Sequence, residues 1–423
     1  MVDNAAGALR GRRVAIFTHS HPSLTKGGAE IAAQTLFLGL RAIGVDAILI
    51  AACDEEAFDR LELGPNEFAL PYRGEFYDHF YHLAPTGVRR ALVDLLRREQ
   101  IDVFNAHHFL HAGIDTFTEI SEAGIQVVFT IHEFLAICHN HGQMITRVAQ
   151  LLCEGPSPSA CQNCYPEHTR QQFAVRAQHV RNALASVAAF VSPSHFLAER
   201  MTANGVPADR MNIIENGIPQ RDPMPSVASL AERRVWTFGF FGQINPFKGL
   251  DVILRACAIL ARDKEIATRV RIAIHGHFVG QSNDFITRFH AAVDEYAFLS
   301  YLGPYDNRYV GRLMAACDYV VAPSTWWENS PVVIQEAYHA RRPVICTGIG
   351  GMAEKVIDRV TGLHFARNDA GDLVDKIIEA ADASLYRQLQ DALPDAHTPI
   401  NMAEQYAALI GKVLADSSIA LVD

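Results

Sequence analysis

The sequence predicts two Rossmann-like, doubly wound parallel-sheet domains of the α/β class, facing each other across a cleft. Three observations lead there. Short apolar runs alternate with amphipathic helical stretches along most of the chain, the pattern of a parallel sheet covered on both faces. The alternation stops at Asn216-Gly217-Ile218-Pro219 and then restarts, and Pro219–Pro225 holds three prolines in seven residues, a linker composition. A chain of 423 residues is also too long for a single hydrophobic core to organise.

In chain order, the strand candidates of the first domain are Val14–His19, Ala47–Ala52, Asp102–Ala106, Val127–Ile131 and Val187–Ser192. Helical periodicity marks Ala29–Ile43, Val88–Glu99 and Ile114–Ala123 between them. Beyond the linker, strands are expected at Trp236–Phe241, Arg271–His275, Tyr319–Ala322 and Val344–Thr347. The domains are read as 1–220 and 221–400, with a helical segment over 401–423 that packs on either one, the first included.

Hydrophobic residues make up 49% and charged residues 20%, values of a folded globular protein. The net charge of -10 and the lack of any Lys/Arg run exclude nucleic acid as an expected partner. Met1 to Gly11 has no apolar leader, and no window reaches the roughly 18 apolar residues of a membrane span, so a cytoplasmic location is expected. The runs Phe76–Leu83 and Val88–Arg98 mix aromatics, leucines and arginines. They are read first as helices packing on the sheet, and second as a peripheral contact with the inner face of a membrane.

Open parallel sheets bind ligands beyond the carboxyl ends of their strands, so the chemistry is sought in the loops there. The segment Ser324–Ala337 reads S-T-W-W-E-N-S-P-V-V-I-Q-E-A. Pro331 suits a first helical turn, with Asn329 or Ser330 as cap, and leaves the N–H groups of Val332 and Val333 for a diphosphate. Glu336 lies one and a half turns into that helix, where its carboxylate can accept ribose hydroxyls; Glu328 precedes it, on the sugar side. In Phe240–Leu250, Lys248 stands at a strand-to-helix turn beside Gln243, placed to neutralise a phosphate. After the first strand, Lys26-Gly27-Gly28 precedes a helix beginning at Ala29, and Gly27 and Gly28 allow close backbone approach to a ligand.

These segments together resemble glycosyltransferase family 4, with the GT-B fold, over nearly the full length. Glu328 and Glu336, with seven residues between them, match the family's signature. The Lys248-Gly249 turn, Gly27-Gly28, Asn216-Gly217, and Gly350-Gly351 with Glu354 and Gly362 follow in the family's order. The resemblance implies a nucleotide-diphosphate sugar donor held mainly by the second domain and an acceptor held mainly by the first. It implies transfer with retained anomeric configuration and no catalytic metal. Glu336 then holds the ribose, Lys248 the diphosphate, and Glu328 the hydroxyls of the sugar. The family often has Arg where this chain has Gln243, so the phosphate site lacks one charge. His132, ending V-V-F-T-I-H, sits where the family has a His near the donor sugar, though Glu133 follows it in place of Asp. His107 and His108 end the preceding strand and are read either as lining the acceptor side or as structural. The acceptor is expected to be a glycan or lipid-linked glycan, in polysaccharide or glycoconjugate synthesis.

Cys138, Cys153, Cys161 and Cys164 form a separate cluster within a Pro/Gly/Ser-bearing insertion over 138–164. Four thiolates with one C-x-x-C pair suit a structural zinc site, with His139, His141 and His168 in reserve. An iron–sulfur cluster takes the same ligands, and four reduced cysteines without metal is the third reading. A nicotinamide-dependent dehydrogenase is disfavoured, since no G-x-G-x-x-G follows a strand. A nucleotide-sugar epimerase or hydrolase, and a catalytically silent nucleotide-sugar-binding protein, stay as the alternatives.

Overall fold

The computed structural model describes residues 7–25, 27–219 and 235–419. Lys26 and all of the proline-rich linker beyond Pro219 lie outside the described residues. The chain forms two compact units. The first takes the residues up to Pro219 together with those from His397 onward; the second takes the residues between, up to Ala396.

The first unit is built on β1 (Arg13–Thr18), β2 (Asp46–Asp54), β3 (Glu67–Tyr72), β4 (Val103–Ala106), β5 (Gln126–Thr130), β6 (Ala189–Ser192) and β7 (Met211–Ile213). They form one parallel sheet in the order β3-β2-β1-β4-β5-β6-β7. The register sets Val14 between Ala47 and Val103. Val14 to Thr18 are all buried, as strands covered on both faces require. The second unit has β8 (Trp236–Phe241), β9 (Val270–His275), β10 (Leu299–Gly303), β11 (Tyr319–Ala322), β12 (Val344–Thr347) and β13 (Gly362–Phe365). Their order is β10-β9-β8-β11-β12-β13, again all parallel. In each sheet the strand order reverses beside the first strand, between β1 and β4 and between β8 and β11. Such switch points open crevices at the carboxyl ends, where the loops carrying the predicted functional residues emerge.

The strand and helix expectations meet the structure within two residues, except that Phe76–Leu83 is no helix. A short 3-10 turn ends at Phe76, and an antiparallel bridge joins Asp78 to Leu83. Tyr77, Phe80 and His82 within this run are buried. The helix Thr86–Arg98 buries Leu92, Val93, Leu95 and Leu96, which accounts for its apolar stripe by packing. Among the described residues no helix is long and apolar enough to cross a membrane.

The final helix, Pro399–Ile419, lies along Gly28–Ala42 of the first unit. Met402, Ala403, Tyr406, Ala407, Ile410 and Val413 complete a core with Leu36, Phe37 and Leu40. A Cβ on Gly39 would stand 2.6 Å from the carbonyl oxygen of Pro399, so the crossing is that close. Tyr406 reaches the sheet, its hydroxyl 3.0 Å from Thr130 Oγ1.

Candidate active site

In the second unit the site begins where β8 ends. Asn245 Oδ1 accepts the backbone N–H groups of Phe247 and Lys248, both at 3.0 Å, and so shapes the turn that presents Lys248. Gly249 follows with φ +76°, and a Cβ there would stand 1.8 Å from the carbonyl oxygen of Pro323. Both facts require glycine, and they press the Lys248 turn against the loop after β11. Thr325 N–H donates to the Phe247 carbonyl at 2.8 Å, and the Phe247 and Trp326 rings stack 5.0 Å apart.

This closeness brings Lys248 to Glu328. One carboxylate oxygen, Oε1, accepts from Lys248 Nζ at 2.6 Å, Ser324 Oγ at 2.7 Å and Trp326 Nε1 at 2.8 Å. Among the described residues no donor meets Oε2. Burial of Glu328 pushes its carboxyl up, but the Lys248 charge and the bonds from Lys248, Trp326 and Ser324 outweigh it and hold the group below the usual carboxylate value. Glu328 is therefore a fixed anion at neutral pH. Its main chain is pinned too: the Gly351 N–H donates to the Glu328 carbonyl at 2.7 Å, and a Cβ on Gly351 would stand 1.9 Å from the Asn329 carbonyl oxygen.

Pro331 occupies the cap position of the helix Val332–His339, and no side chain caps it. The expectation that Asn329 or Ser330 caps this helix is thereby corrected, and the N–H groups of Val332 and Val333 are left without a side-chain acceptor. Glu336 is buried on that helix with 7% exposure, and Gln243 is exposed on the loop after β8. Arg367, on the loop after β13, donates from Nε to the Thr325 carbonyl at 2.6 Å. It is an arginine that the folded chain brings to the loop carrying Glu328, and nothing in its sequence neighbourhood announced it. Ser324 and Trp326 were likewise in view without a role; their part as donors to Glu328 depends on a loop path that spacing does not reveal.

In the first unit, His132 follows β5 and its Nε2 lies 2.9 Å from Nδ1 of His107, which is sealed at the end of β4 with 1% exposure. His108 accepts the Leu110 N–H at Nδ1, so its proton sits on Nε2, which donates to Glu133 Oε1 at 2.6 Å. The sequence reading left out His19, Glu30 and His111. Glu30 Oε1 accepts from Thr25 Oγ1 at 2.7 Å and lies 3.5 Å from His19 Nε2. Gly27 is the cap of the helix Gly28–Ala42 in ordinary extended backbone, φ −87° and ψ 170°. A Cβ on Gly27 would stand 2.5 Å from Glu30 Oε2 and would displace that carboxylate, while Gly28 has open space around it. The helix begins at Gly28, one residue before the expected Ala29.

The four cysteines of the insertion are brought into one region, where Cys153 bears electrostatically on Cys138 and Cys161, and Cys164 on Cys161. Among the described residues no group of three or more His, Cys, Asp or Glu side chains is placed to hold a metal ion, and none of the four cysteines is in a disulfide. Local backbone groups engage the sulfurs instead: Arg147 N–H donates to Cys164 Sγ at 3.2 Å, and Cys153 Sγ donates to the Gly155 carbonyl at 3.4 Å. Residues 158–164 fold as a helix capped by Ser157, so the C-x-x-C pair rides on a helical turn.

Residues 26–221 match the family model described as Glycosyltransferase Family 4, and residues 236–383 match that of Glycosyl transferases group 1. A D-inositol 3-phosphate glycosyltransferase of Pseudarthrobacter chlorophenolicus is 26% identical over 295 residues, 67% of this chain and 64% of that protein. The namesake enzyme of Stackebrandtia nassauensis is 28% identical over 41% of this chain and 42% of its own length. The chain thus spans less than half of that relative. Among solved structures, HepE of Anabaena in complex with UDP superposes with a TM-score of 0.67 at 16% identity, covering 95% of this chain and 100% of that one. Sucrose-phosphate synthase from Thermosynechococcus elongatus gives 0.70 at 18% identity, covering 96% and 100%. Each half of the molecule thus carries one domain of a glycosyltransferase, in the order and on the paired parallel sheets that such enzymes use, and the chain belongs to the glycosyltransferases of the GT-B fold.

Proposed function

We propose that the protein is a retaining hexosyltransferase that moves a sugar from a nucleoside diphosphate to a glycan or lipid-linked glycan, in polysaccharide or glycoconjugate synthesis. The observation that carries this reading is the Glu328 carboxylate. Three donors hold one of its oxygens while the other meets none among the described residues, just before a helix start that no side chain caps. A fixed anion with one open oxygen suits hydroxyls of a sugar, and uncapped N–H groups suit a diphosphate. Solved neighbours in complex with UDP and with UDP-glucose support a nucleotide-sugar donor of that kind.

In this reading Glu336 accepts the ribose hydroxyls and Val332 and Val333 N–H groups meet the diphosphate. Lys248 and the helix start stabilise the charge that develops as the diphosphate leaves. The acceptor hydroxyl attacks on the face the leaving group has vacated, and the departing phosphate takes its proton. His132 is assigned a role toward the sugar, with its Nε2 paired to His107 Nδ1. No metal is assigned to the chemistry, so activity is expected to persist in EDTA. The location is proposed as cytoplasmic, with peripheral contact at the inner face of a membrane.

The test incubates the purified protein with UDP-glucose and related donors, with and without glycan acceptors, and reads the product anomer by proton NMR. Transfer with retained configuration supports the reading. Donor consumption that ignores every acceptor favours an epimerase or hydrolase, and nucleotide binding without turnover favours a silent binding protein.

A further inference from the structure

Outside the donor loops, six polar side chains of the first unit gather at the carboxyl ends of β1, β4 and β5: His19, Glu30, His108, His111, His132 and Glu133. The rings of His19 and His108 stand 4.2 Å apart, and each is joined to a carboxylate, Glu30 and Glu133 respectively. His19, His111, His132 and Glu133 are partly exposed, so the group presents a surface.

The charge character of this surface is unusual for a site that would take a phosphate. The groups that bear on His19, His111 and His132 are other imidazoles and Asp54; among the described residues, no Lys or Arg is one of them. Burial, followed by these neighbours, drives His19 down to about 2, His132 to about 3 and His111 to about 4, so all three are neutral rings. Arg176 lies in the same unit, but its guanidinium is spent on the carbonyls of Phe80, Leu135 and Ala136 and on His82. The helix start at Gly28, which would attract an anion, has the Glu30 carboxylate folded back against Gly27.

Neutral imidazoles each offer one donor and one acceptor, and carboxylates only accept. His19 Nδ1 and His111 Nδ1 lie buried with no partner among the described residues. A sugar hydroxyl both donates and accepts and answers such a surface, whereas a phosphate would meet two carboxylates and no cation of the described chain. Building on the reading that the first unit takes the acceptor, we propose that this edge binds an uncharged sugar or polyol through its hydroxyls and rejects one bearing phosphate at the docking ring.

The experiment uses the full chain with UDP and UDP-glucose and a panel of hexoses, disaccharides and myo-inositol, each paired with a phosphorylated counterpart. Saturation-transfer NMR reads binding, and UDP release reads turnover. A neutral member is expected to be engaged, with its phosphorylated counterpart weaker by between about threefold and about a hundredfold, the span for one like charge at about 6 Å in watery or protein-like surroundings. Glu133→Gln and, independently, Glu30→Gln should narrow that gap. Preference for the phosphorylated member overturns the proposal, as does absence of any neutral-sugar binding while UDP-glucose is still consumed. Neutral-sugar binding that His19→Gln abolishes, with no turnover of UDP-glucose at all, upholds this edge and sinks the glycosyltransfer reading instead.

Discussion

Removal of one ammonium group, in Lys248→Ala, strands the Glu328 carboxylate and should destabilise the second unit before any substrate is added. The ion pair is 2.6 Å long, with side-chain exposures of 28% for Lys248 and 11% for Glu328. At an effective dielectric of about 20, unit charges about 4 Å apart attract by about 4 kcal/mol. Breaking a buried pair from one side costs about 3–5 kcal/mol. Ser324 Oγ and Trp326 Nε1 stay on the same oxygen, and water reaches the half-exposed lysine position, which lowers the expected loss to about 2–3 kcal/mol. For a unit of this size that is a fall of about 4–12 °C in melting temperature. All three tryptophans, Trp236, Trp326 and Trp327, lie in the second unit, so their fluorescence reports its melting selectively. The sign against pH follows from the depressed Glu328 carboxyl: the pair stabilises above the ordinary carboxylate range and ceases to as the pH falls through the lower folded value. The gap between parent and variant should therefore close in acid. Adding Glu328→Gln should recover most of the loss, because a neutral amide leaves no stranded charge. Melting within about 1 °C of the parent at neutral pH, or a double variant no better than the single one, would refute the argument.

Glu336→Ala should weaken binding of the preferred nucleoside diphosphate by about 1.5–3 kcal/mol with melting little changed; unaltered affinity by calorimetry would remove the ribose role. Lys248→Ala should lower kcat more than Gln243→Ala, since only the lysine carries charge; the reverse order in a UDP-release assay contradicts the proposed phosphate site. His82 and His107 are held neutral by burial, with Arg176 next in effect on His82 and His132 on His107. Their stabilisation is complete above the unfolded imidazole value of 6.5 and declines as the pH falls, so these two histidines alone should cost the first unit about 2 kcal/mol between pH 6.5 and 5.5, with His19, His111 and His132 adding to it in the same direction. Hydrogen exchange resolved by segment checks this, and equal acid sensitivity of both units would count against it. Metal analysis of protein purified without chelator tests the structural site proposed at Cys138, Cys153, Cys161 and Cys164: about one zinc per chain supports it, and protein with neither zinc nor iron defeats it.

Legibility in the sequence followed burial. The nine strands expected from apolar runs are all present, and the four that were missed, β3, β7, β10 and β13, are the outermost strands of the two sheets. Inner strands are covered on both faces and read as unbroken apolar runs. An edge such as β10, L-S-Y-L-G, alternates buried and exposed positions over five residues, too short to separate from a loop. The donor loops were legible because glycine and proline punctuate them at fixed offsets. The triple grip on Glu328 was not, because Lys248 is brought to it from 80 positions away. The His/Glu edge was hidden for the same reason: it is assembled from three strand ends, and among 19 histidines no single one stands out. The cysteine spacing leaves the metal reading open, because a C-x-x-C pair reads alike on a zinc knuckle and on a helical turn.

The return of the last helix to the first unit makes the chain's beginning dependent on its end. Leu36, Phe37 and Leu40 keep an uncovered apolar seam until Met402, Tyr406 and Ile410 arrive. During synthesis the whole second unit is made in between, so the usual order, in which the N-terminal domain finishes first, is inverted here. The second unit, continuous in sequence, can reach its native core while the first is still waiting. A nascent chain paused near residue 396 would expose a sticky surface near its N-terminus, and that half-made species is the one expected to recruit chaperones or aggregate.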